Sequence, residues 1–165
     1  MLLFSRRKFL ALAGAGLLAG CGFTPVYKSG TAASDLHGKI AIDLVRGRNG
    51  FVLRERLEER LGFASDSAPY TLRFVLKTTD TGLAVTKDEG TTRFNLEGVA
   101  SFTIKDNTTG VVVFSDSVKN VTAYSATSET YPSRVAELDA NVRLAQSLAE
   151  QIANRIAITA KGWHK

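Results

Sequence analysis

The sequence has few cysteines and histidines and only a short hydrophobic run, and each shortage excludes a class of protein. One cysteine among 165 residues allows no disulfide framework within the chain. The two histidines, His37 and His164, lie beside a small-residue segment and at the C-terminus, where we expect solvent-exposed side chains without a metal or general-base role. The apolar run at residues 9–18 is far shorter than the roughly 20 residues of a membrane-spanning helix.

Positive charge is scarcer in the body of the chain than the total suggests. The sequence holds 21 basic and 16 acidic residues, a formal net charge of +5. Three of the basic residues, Arg6, Arg7 and Lys8, precede the apolar run, which leaves 18 against 16, or a net of +2, for the rest. This balance argues against a nucleic-acid partner, because a polyanion-binding domain keeps its positive charge in the folded body. It is compatible with a small anion-binding patch.

Motifs for catalysis and nucleotide binding are absent from the sequence. There is no Gly-x-Ser-x-Gly elbow, no Gly-x-x-x-x-Gly-Lys phosphate loop and no second cysteine for a redox pair. Asp88 and Glu89 are adjacent carboxylates in a polar turn, where solvation explains them without acid-base chemistry. We therefore predict no catalytic residues, no metal ligands and no enzymatic activity. A periplasmic enzyme held by a lipid anchor stays open as a distant alternative, and only unassigned polar residues support it.

The N-terminus contains a leader that ends in a lipobox. Basic residues 6–8 precede the apolar run and then Leu18-Ala19-Gly20-Cys21, an order typical of a lipoprotein signal peptide. We predict that residues 1–20 are removed and that Cys21 carries diacylglyceryl and acyl groups such as palmitate, with no other cofactor. The alternative is an ordinary signal peptide cleaved elsewhere. Ser5–Leu10 also resembles a twin-arginine signal, so Sec and twin-arginine export both stay open.

After the leader, the patterns predict a tether and one α+β domain. Residues 21–36 are rich in small residues and are predicted to tether residues 37–165, the single domain, to the membrane. Period-two and helical patterns alternate along that domain in the order β-α-β-β-β-α. The predicted elements are a strand at 39–45, a helix capped by Asn49 and stopped by Gly62, strands that begin at Tyr70, Phe94 and Val111, and a helix at about 133–159.

The half-buried strands predict a four-stranded, mostly antiparallel sheet with two amphipathic helices packed on one face. The opposite face would carry basic residues, namely Arg73, Lys77, Arg93 and Lys105. Turn residues at Asp80–Gly82 and 86–90 predict a long connection or an extended hairpin tip. A slip in the alternation at Ser115–Ser117 predicts a β-bulge there.

One known family shares several of these segments. Cys21-Gly22-Phe23-Thr24-Pro25-Val26-Tyr27 resembles the mature start of LptE, the lipopolysaccharide-assembly lipoprotein family. The resemblance continues, in family order, through Thr92–Leu96, Ala100–Phe102, Thr109-Gly110 and the start of the last helix at Tyr131, Ala136, Asp139 and Ala140.

The resemblance implies an outer-membrane lipoprotein on the periplasmic side that is seated in the LptD β-barrel. It would help this barrel to assemble and would assist the delivery of lipopolysaccharide to the cell surface. Gly22 resembles an outer-membrane sorting residue. Family members are thought to bind lipopolysaccharide through basic residues. Here Arg93 matches the family motif, and Lys77, Arg73 and Lys87 are expected neighbours. The alternative function is an auxiliary lipoprotein of another envelope transport or barrel-assembly machine.

Overall fold

The computed structural model describes residues 30–65, 67–85 and 92–164, in which one sheet is covered by helices on one face. The elements in chain order are helix α1 (Ala32–Asp35), strand β1 (Ile40–Ile42), helix α2 (Arg48–Leu61), strands β2 (Tyr70–Val85), β3 (Thr92–Asp106) and β4 (Val112–Ala126), helix α3 (Thr130–Thr159) and a 3₁₀ turn (Ala160–Gly162). The predicted order β-α-β-β-β-α is confirmed, and α1 is an additional short helix.

The sheet follows chain order, β1-β2-β3-β4. β1 and β2 are parallel, because α2 connects them as a crossover, whereas β2, β3 and β4 form an antiparallel meander. The mostly antiparallel sheet is therefore confirmed, in a mixed form. β2 and β3 pair from Tyr70 with Asp106 to Leu83 with Arg93, so the hairpin is long.

Helix α3 and the inner face of the sheet form most of the core. Alternate residues of β2 and β3 point inward because successive side chains of a strand face opposite sides. The buried side chains of these two strands are Tyr70, Leu72, Phe74, Leu96, Ala100, Phe102 and Ile104. α3 contributes a stripe that alternates large and small residues, namely Ala140, Leu144, Ala145, Leu148, Ala149, Ile152, Ala153 and Ile156. The small residues let the helix axis approach the sheet closely.

Helix α2 lies beside α3 and completes the helical layer. Its predicted stripe, Leu53, Leu57 and Leu61, is buried. Gly62 ends the helix with a φ of 83°, and its N–H donates to the Glu58 carbonyl. The predicted cap at Asn49 is wrong: Gly47 occupies the N-cap position, and Asn49 Nδ2 donates instead to Asn141 Oδ1 of α3 at 2.6 Å. A contact to the neighbouring helix has replaced the local cap.

Salt bridges at the outer edge of the helical layer also join α2 to α3. Arg56 Nη2 and Arg60 Nε lie 2.6 Å and 3.0 Å from the carboxylate oxygens of Glu150. These groups are partly exposed, so each pair adds little to the free energy of unfolding, but together they orient the two helices.

Three strand predictions need correction. β1 ends at Ile42, and Leu44 is 81% exposed, because the chain turns away from β2 after Asp43. Asp80–Gly82 belong to β2, so of the two predicted connections the extended hairpin is the one observed, although residues 86–91 lie outside the described part. The register irregularity in β4 falls at Val113, since Ile104 pairs with Phe114 and Lys105 with Val112, and the predicted bulge at Ser115–Ser117 is wrong.

The end of the predicted tether is part of the folded body. Residues 31–36 contain helix α1, where Thr31 and Ser34 form a capping box. Ala33 and Leu36 are buried against the core, with Leu36 only 2% exposed. The segment was predicted to be a tether because most of its residues are small, but its one large apolar residue, Leu36, packs into the core. The earlier tether residues, and Cys21 with them, lie outside the described part of the chain.

Gly98 of β3 lies directly against side chains of α3. A Cβ at this position would lie 2.9 Å from side-chain atoms of Leu144 and of Leu148, both fully buried. We expect Gly98→Val to lower the free energy of unfolding by about 1–3 kcal/mol, because α3 must shift outward. Gly82→Val is the matched control, since an added Cβ there meets only the Phe94 ring at 3.6 Å. Urea unfolding measures both, and equal stabilities would contradict the packing described.

Candidate anion-binding site

The basic residues predicted on the outer face of the sheet are there. Arg73, Lys77, Arg93 and Lys105 are all exposed on the face opposite the helices, which we call the open face. Between them lie mostly hydroxyl and amide side chains such as Ser101, Thr103 and Ser117. The open face is therefore mostly polar with basic side chains along it, and it also exposes Val75 and Val121 and carries the Glu97–Lys119 ion pair.

The strand register separates these positive charges, so they form no single cluster. Lys77 pairs with Val99, six residues from Arg93 on β3, which places the two positions about 20 Å apart. Arg73 pairs with Thr103, about 33 Å from Arg93 by the same spacing, and its Nε donates to Asp43 Oδ2 at 2.7 Å. The expectation that Lys77 and Arg73 neighbour Arg93 is therefore wrong. Lys87 lies outside the described residues.

Arg93 instead lines a cleft at the far end of the sheet. The cleft has a volume of about 340 Å³ and lies between the last residues of β4 and the first turns of α3. Its lining residues are Arg93, Ala123, Tyr124, Ser125, Ala136, Asp139 and Arg143. β3 positions Arg93 through its pairing with Ser125, and α3 positions Arg143 one helical turn after Asp139.

The two guanidinium groups of the cleft differ in how they are held. Arg143 is fixed, since Nη1 lies 2.9 Å from Asp139 Oδ2 and Nη2 donates to the Ala123 carbonyl at 3.2 Å. Arg93 makes no ion pair with any residue in the described ranges. A guanidinium with free donors can bind a phosphate or carboxylate in bidentate fashion. Arg93 therefore has donors free for an anion, whereas Arg143 is already paired with Asp139, a carboxylate that also lines the cleft.

Sequence reasoning did not single out Arg143. Its spacing from Asp139 is that of an ordinary surface pair on a helix, i to i+4, and nothing local shows that the same side chain reaches β4. The signal that could have found it is the match of the first turns of α3 to the family, which includes Ala136 and Asp139.

Tyr124 also lines the cleft. Its ring stacks on that of Phe94 with centroids 5.2 Å apart. Burial raises the pKa of the Tyr124 phenol, and the negative charges of Asp80 and Glu137 raise that pKa further. The Tyr124 hydroxyl is therefore protonated and uncharged at neutral pH.

The histidines differ from the prediction in one case. His37 is exposed, but His164 is half-buried, with its Nδ1 3.2 Å from the Tyr70 hydroxyl and its ring against Tyr70 and Trp163. The 3₁₀ turn after α3 brings the C-terminus back onto the end of the sheet, so His164 has a structural role there.

The described ranges contain neither a metal-binding cluster nor a membrane-spanning helix. Across residues 30–65, 67–85 and 92–164, no three His, Cys, Asp or Glu side chains are grouped so that they could hold a metal ion. No helix in these ranges combines the length and the hydrophobicity that a membrane span requires.

A family model described as lipopolysaccharide-assembly, LptE, matches residues 38–156, well over half of the 165-residue chain. The chain belongs to the LptE family. The resemblance noted in the sequence is confirmed, and the LptE family is one of lipoproteins without enzymatic activity. No curated protein matches the sequence.

Solved structures share this LptE-family fold at low sequence identity. A Caulobacter crescentus protein has a TM-score of 0.65 and 23% identity, over 79% of this chain and 96% of that one. A minor lipoprotein from Acinetobacter baumannii has a TM-score of 0.54 and 19% identity, over 74% and 92%. Rare lipoprotein B from Shewanella oneidensis has a TM-score of 0.53 and 16% identity, over 77% and 98%. At these identities the likeness shows the fold.

The raised pKa of Tyr124 can be measured directly. Absorbance titration of the wild type against Tyr124→Phe isolates this phenol, which we expect to ionise above the ordinary value of about 10. Because the folded state raises this pKa, its contribution to stability is complete below pH 10 and is lost as the pH rises through the folded value. Asp80→Asn should lower the Tyr124 pKa. An ordinary pKa in the wild type would contradict the burial of the ring.

Proposed function

We propose that this LptE-family protein is an outer-membrane lipoprotein, facing the periplasm, that complexes with an LptD-like β-barrel, helps the barrel to assemble and assists lipopolysaccharide transport to the cell surface. The observation that carries the proposal is the family match over residues 38–156. The lipobox at Leu18–Cys21 supports it independently, because it provides the membrane anchor.

The open face of the sheet suits a position inside a barrel. A barrel of this type has a polar interior, so a protein inside it needs a polar exterior. The inner face of the sheet is covered by α2 and α3, and the open face presents Ser101, Thr103 and Ser117 to solvent. We infer that the open face is the main surface that contacts the barrel wall.

The anchor on Cys21 would hold the protein at the membrane before the barrel closes. One acyl chain gives only marginal membrane binding, and stable anchoring takes more than one, which a diacylglyceryl and an acyl group on Cys21 provide. With residues 1–20 removed, Gly22 and the segment to residue 29 join this anchor to helix α1.

Co-purification tests the proposed complex. Full-length protein with a C-terminal tag, extracted from outer membranes in detergent, should recover an LptD-like barrel in a stoichiometric complex, and the N-terminal peptide should have the mass of a lipidated Cys21. Cys21→Ser should abolish the lipid mass and the recovery from outer membranes. Stoichiometric recovery of other envelope proteins without such a barrel would favour the alternative, an auxiliary lipoprotein of another transport or barrel-assembly machine.

Lipopolysaccharide binding is assigned to the basic residues of the open face. We propose Arg93 as the principal contact, because it lines the cleft and has no ion-pair partner in the described ranges. Lys77, Arg73 and Lys87 are proposed as further contacts with the anionic groups of lipid A. Arg73 is the weakest of the three candidates, since it is already paired with Asp43.

Single charge reversals distinguish the contribution of Arg93 to lipopolysaccharide binding from that of Lys77. We expect Arg93→Glu to reduce crosslinking of the purified protein to lipopolysaccharide by about tenfold or more, because the change removes one charge-assisted contact and adds a repulsive one. Lys77→Glu should have a smaller effect that adds to that of Arg93→Glu, because the two positions lie about 20 Å apart. Lys161→Glu, in the exposed C-terminal turn, is the control of equal charge. Undiminished crosslinking of Arg93→Glu would contradict the assignment.

A further inference from the structure

A groove runs along the part of the β2 edge that β1 leaves uncovered. β1 pairs only with Tyr70–Leu72, and the Asp43 N–H donates the last bond, to the Leu72 carbonyl. Beyond that bond the chain diverges from β2 and turns into α2. The resulting groove has a volume of about 530 Å³ and lies between β2 residues 74–78 and residues 45–50.

One wall of the groove is a strand edge with unused hydrogen-bonding groups. The N–H of Tyr70 donates to Lys39 and the carbonyl of Leu72 accepts from Asp43, so the even-numbered residues of β2 direct their backbone groups away from β3. The register with β3 is uninterrupted to Thr78, so the N–H and C=O groups of Phe74, Leu76 and Thr78 face the groove. These groups have no hydrogen-bond partner in the described part of the chain.

This edge lacks most of the features that usually protect exposed strands. Natural proteins block such edges with lysine, proline, a bulge, a short strand or a covering segment. Residues 74–78 contain no proline and no register shift, and their one charged residue, Lys77, directs its side chain to the open face. The opposite edge of the sheet, β4, is partly covered, since Arg143 binds the Ala123 carbonyl there. The β2 edge is therefore the edge that can pair with another strand.

The other wall of the groove is positively charged. Arg46 and Arg48 are exposed and make no ion pair within the described ranges. None of the residues that line the groove is acidic. The nearest carboxylates along the chain are Asp43, which is held by Arg73, and Asp80, which is exposed two residues beyond Thr78. The wall therefore favours a ligand that carries negative charge.

The groove is partly apolar. A Cβ added to Gly50 would lie 2.6 Å from Val45 Cγ1, so the start of α2 is packed closely on the loop before it. Val75 lines the groove and is 62% exposed. Leu44 and Phe51, which adjoin lining residues in the sequence, are 81% and 62% exposed.

We propose that this groove binds an extended, acidic segment of a partner polypeptide, which adds to the sheet as a strand on the free edge of β2 and places its carboxylates against Arg46 and Arg48. A peptide fits better than a phosphate or lipid headgroup, because the edge alternates donors with acceptors and only another backbone satisfies both. The chain's own residues 22–29 include Lys28 and no carboxylate, so charge does not favour them as the occupant. The inference goes beyond the proposed function and stands whether or not the partner is a barrel.

A defined peptide tests the proposal on the mature, lipidated chain in detergent. The probe is a fluorescent heptapeptide of alternating valine and glutamate with blocked ends, and the comparison peptide replaces each glutamate with lysine. We expect saturable binding of the acidic peptide by fluorescence anisotropy, at least about tenfold tighter than that of the lysine peptide. Hydrogen exchange should slow at the amides of Phe74, Leu76 and Thr78 when the acidic peptide is bound.

Two matched pairs of variants locate the binding. Thr78→Pro removes a backbone donor from the edge and should weaken binding about tenfold, whereas Thr78→Ala keeps that donor and should bind like the wild type. Arg46→Glu with Arg48→Glu should weaken binding at least as much, whereas Lys39→Glu with Lys161→Glu, the same change of net charge at exposed sites elsewhere, should not. Thermal unfolding by circular dichroism establishes that each variant is folded. If Thr78→Pro is not folded, the Arg46→Glu, Arg48→Glu variant and the hydrogen exchange of the wild type still test the proposal.

Several results would overturn the proposal. These are equal binding of the two peptides, unchanged exchange at residues 74–78 on binding, or no difference between the arginine variants and their lysine controls. Self-association of the chain that Thr78→Pro abolishes, in place of peptide binding, would show a second copy as the occupant and would also overturn it. None of these results depends on recovery of a barrel, so they are distinct from failure of the proposed function.

Discussion

The packing of α3 against one face of the sheet is the contact on which the rest of the structure depends. Gly98 allows Leu144 and Leu148 to lie directly on β3, and alanines between the large residues of α3 keep the helix close along its length. Since both helices bury the inner face, the other face has no covering and is mostly polar. The Arg93 cleft and the β2 groove lie at opposite edges of the sheet, beside β4 and beside β2.

The elements of the fold could be predicted from the sequence, because side-chain periodicity is a local property. The stripe Leu53, Leu57 and Leu61 and the alternation from Tyr70 both described the buried faces correctly. The site was less predictable, because it depends on register and on contacts between distant segments. The spacing of Lys77 from Arg93 follows from the pairing of β2 with β3, and the role of Arg143 follows from its reach to Ala123. No local pattern contains either fact.

Each of the three proposed interactions uses a different surface of the protein. The open face would supply a broad, mostly polar area for a barrel wall, the cleft would supply Arg93 for anionic groups of lipopolysaccharide, and the β2 edge would supply backbone groups for an extended segment. All three surfaces lie outside the core, so side-chain changes at them that leave the backbone conformation intact should have little effect on the free energy of unfolding. A lipid anchor on Cys21 would hold this set of surfaces at the membrane.

Site-specific photo-crosslinking in the outer-membrane complex tests most directly whether the open face contacts the barrel. A photo-reactive residue at Ser101, exposed at the centre of the open face, is compared with one at Gln146, exposed on α3 on the opposite side of the molecule. We expect crosslinks from Ser101 to an LptD-like barrel at several times the yield from Gln146. Crosslinks to the barrel from Gln146 and none from Ser101 would contradict it.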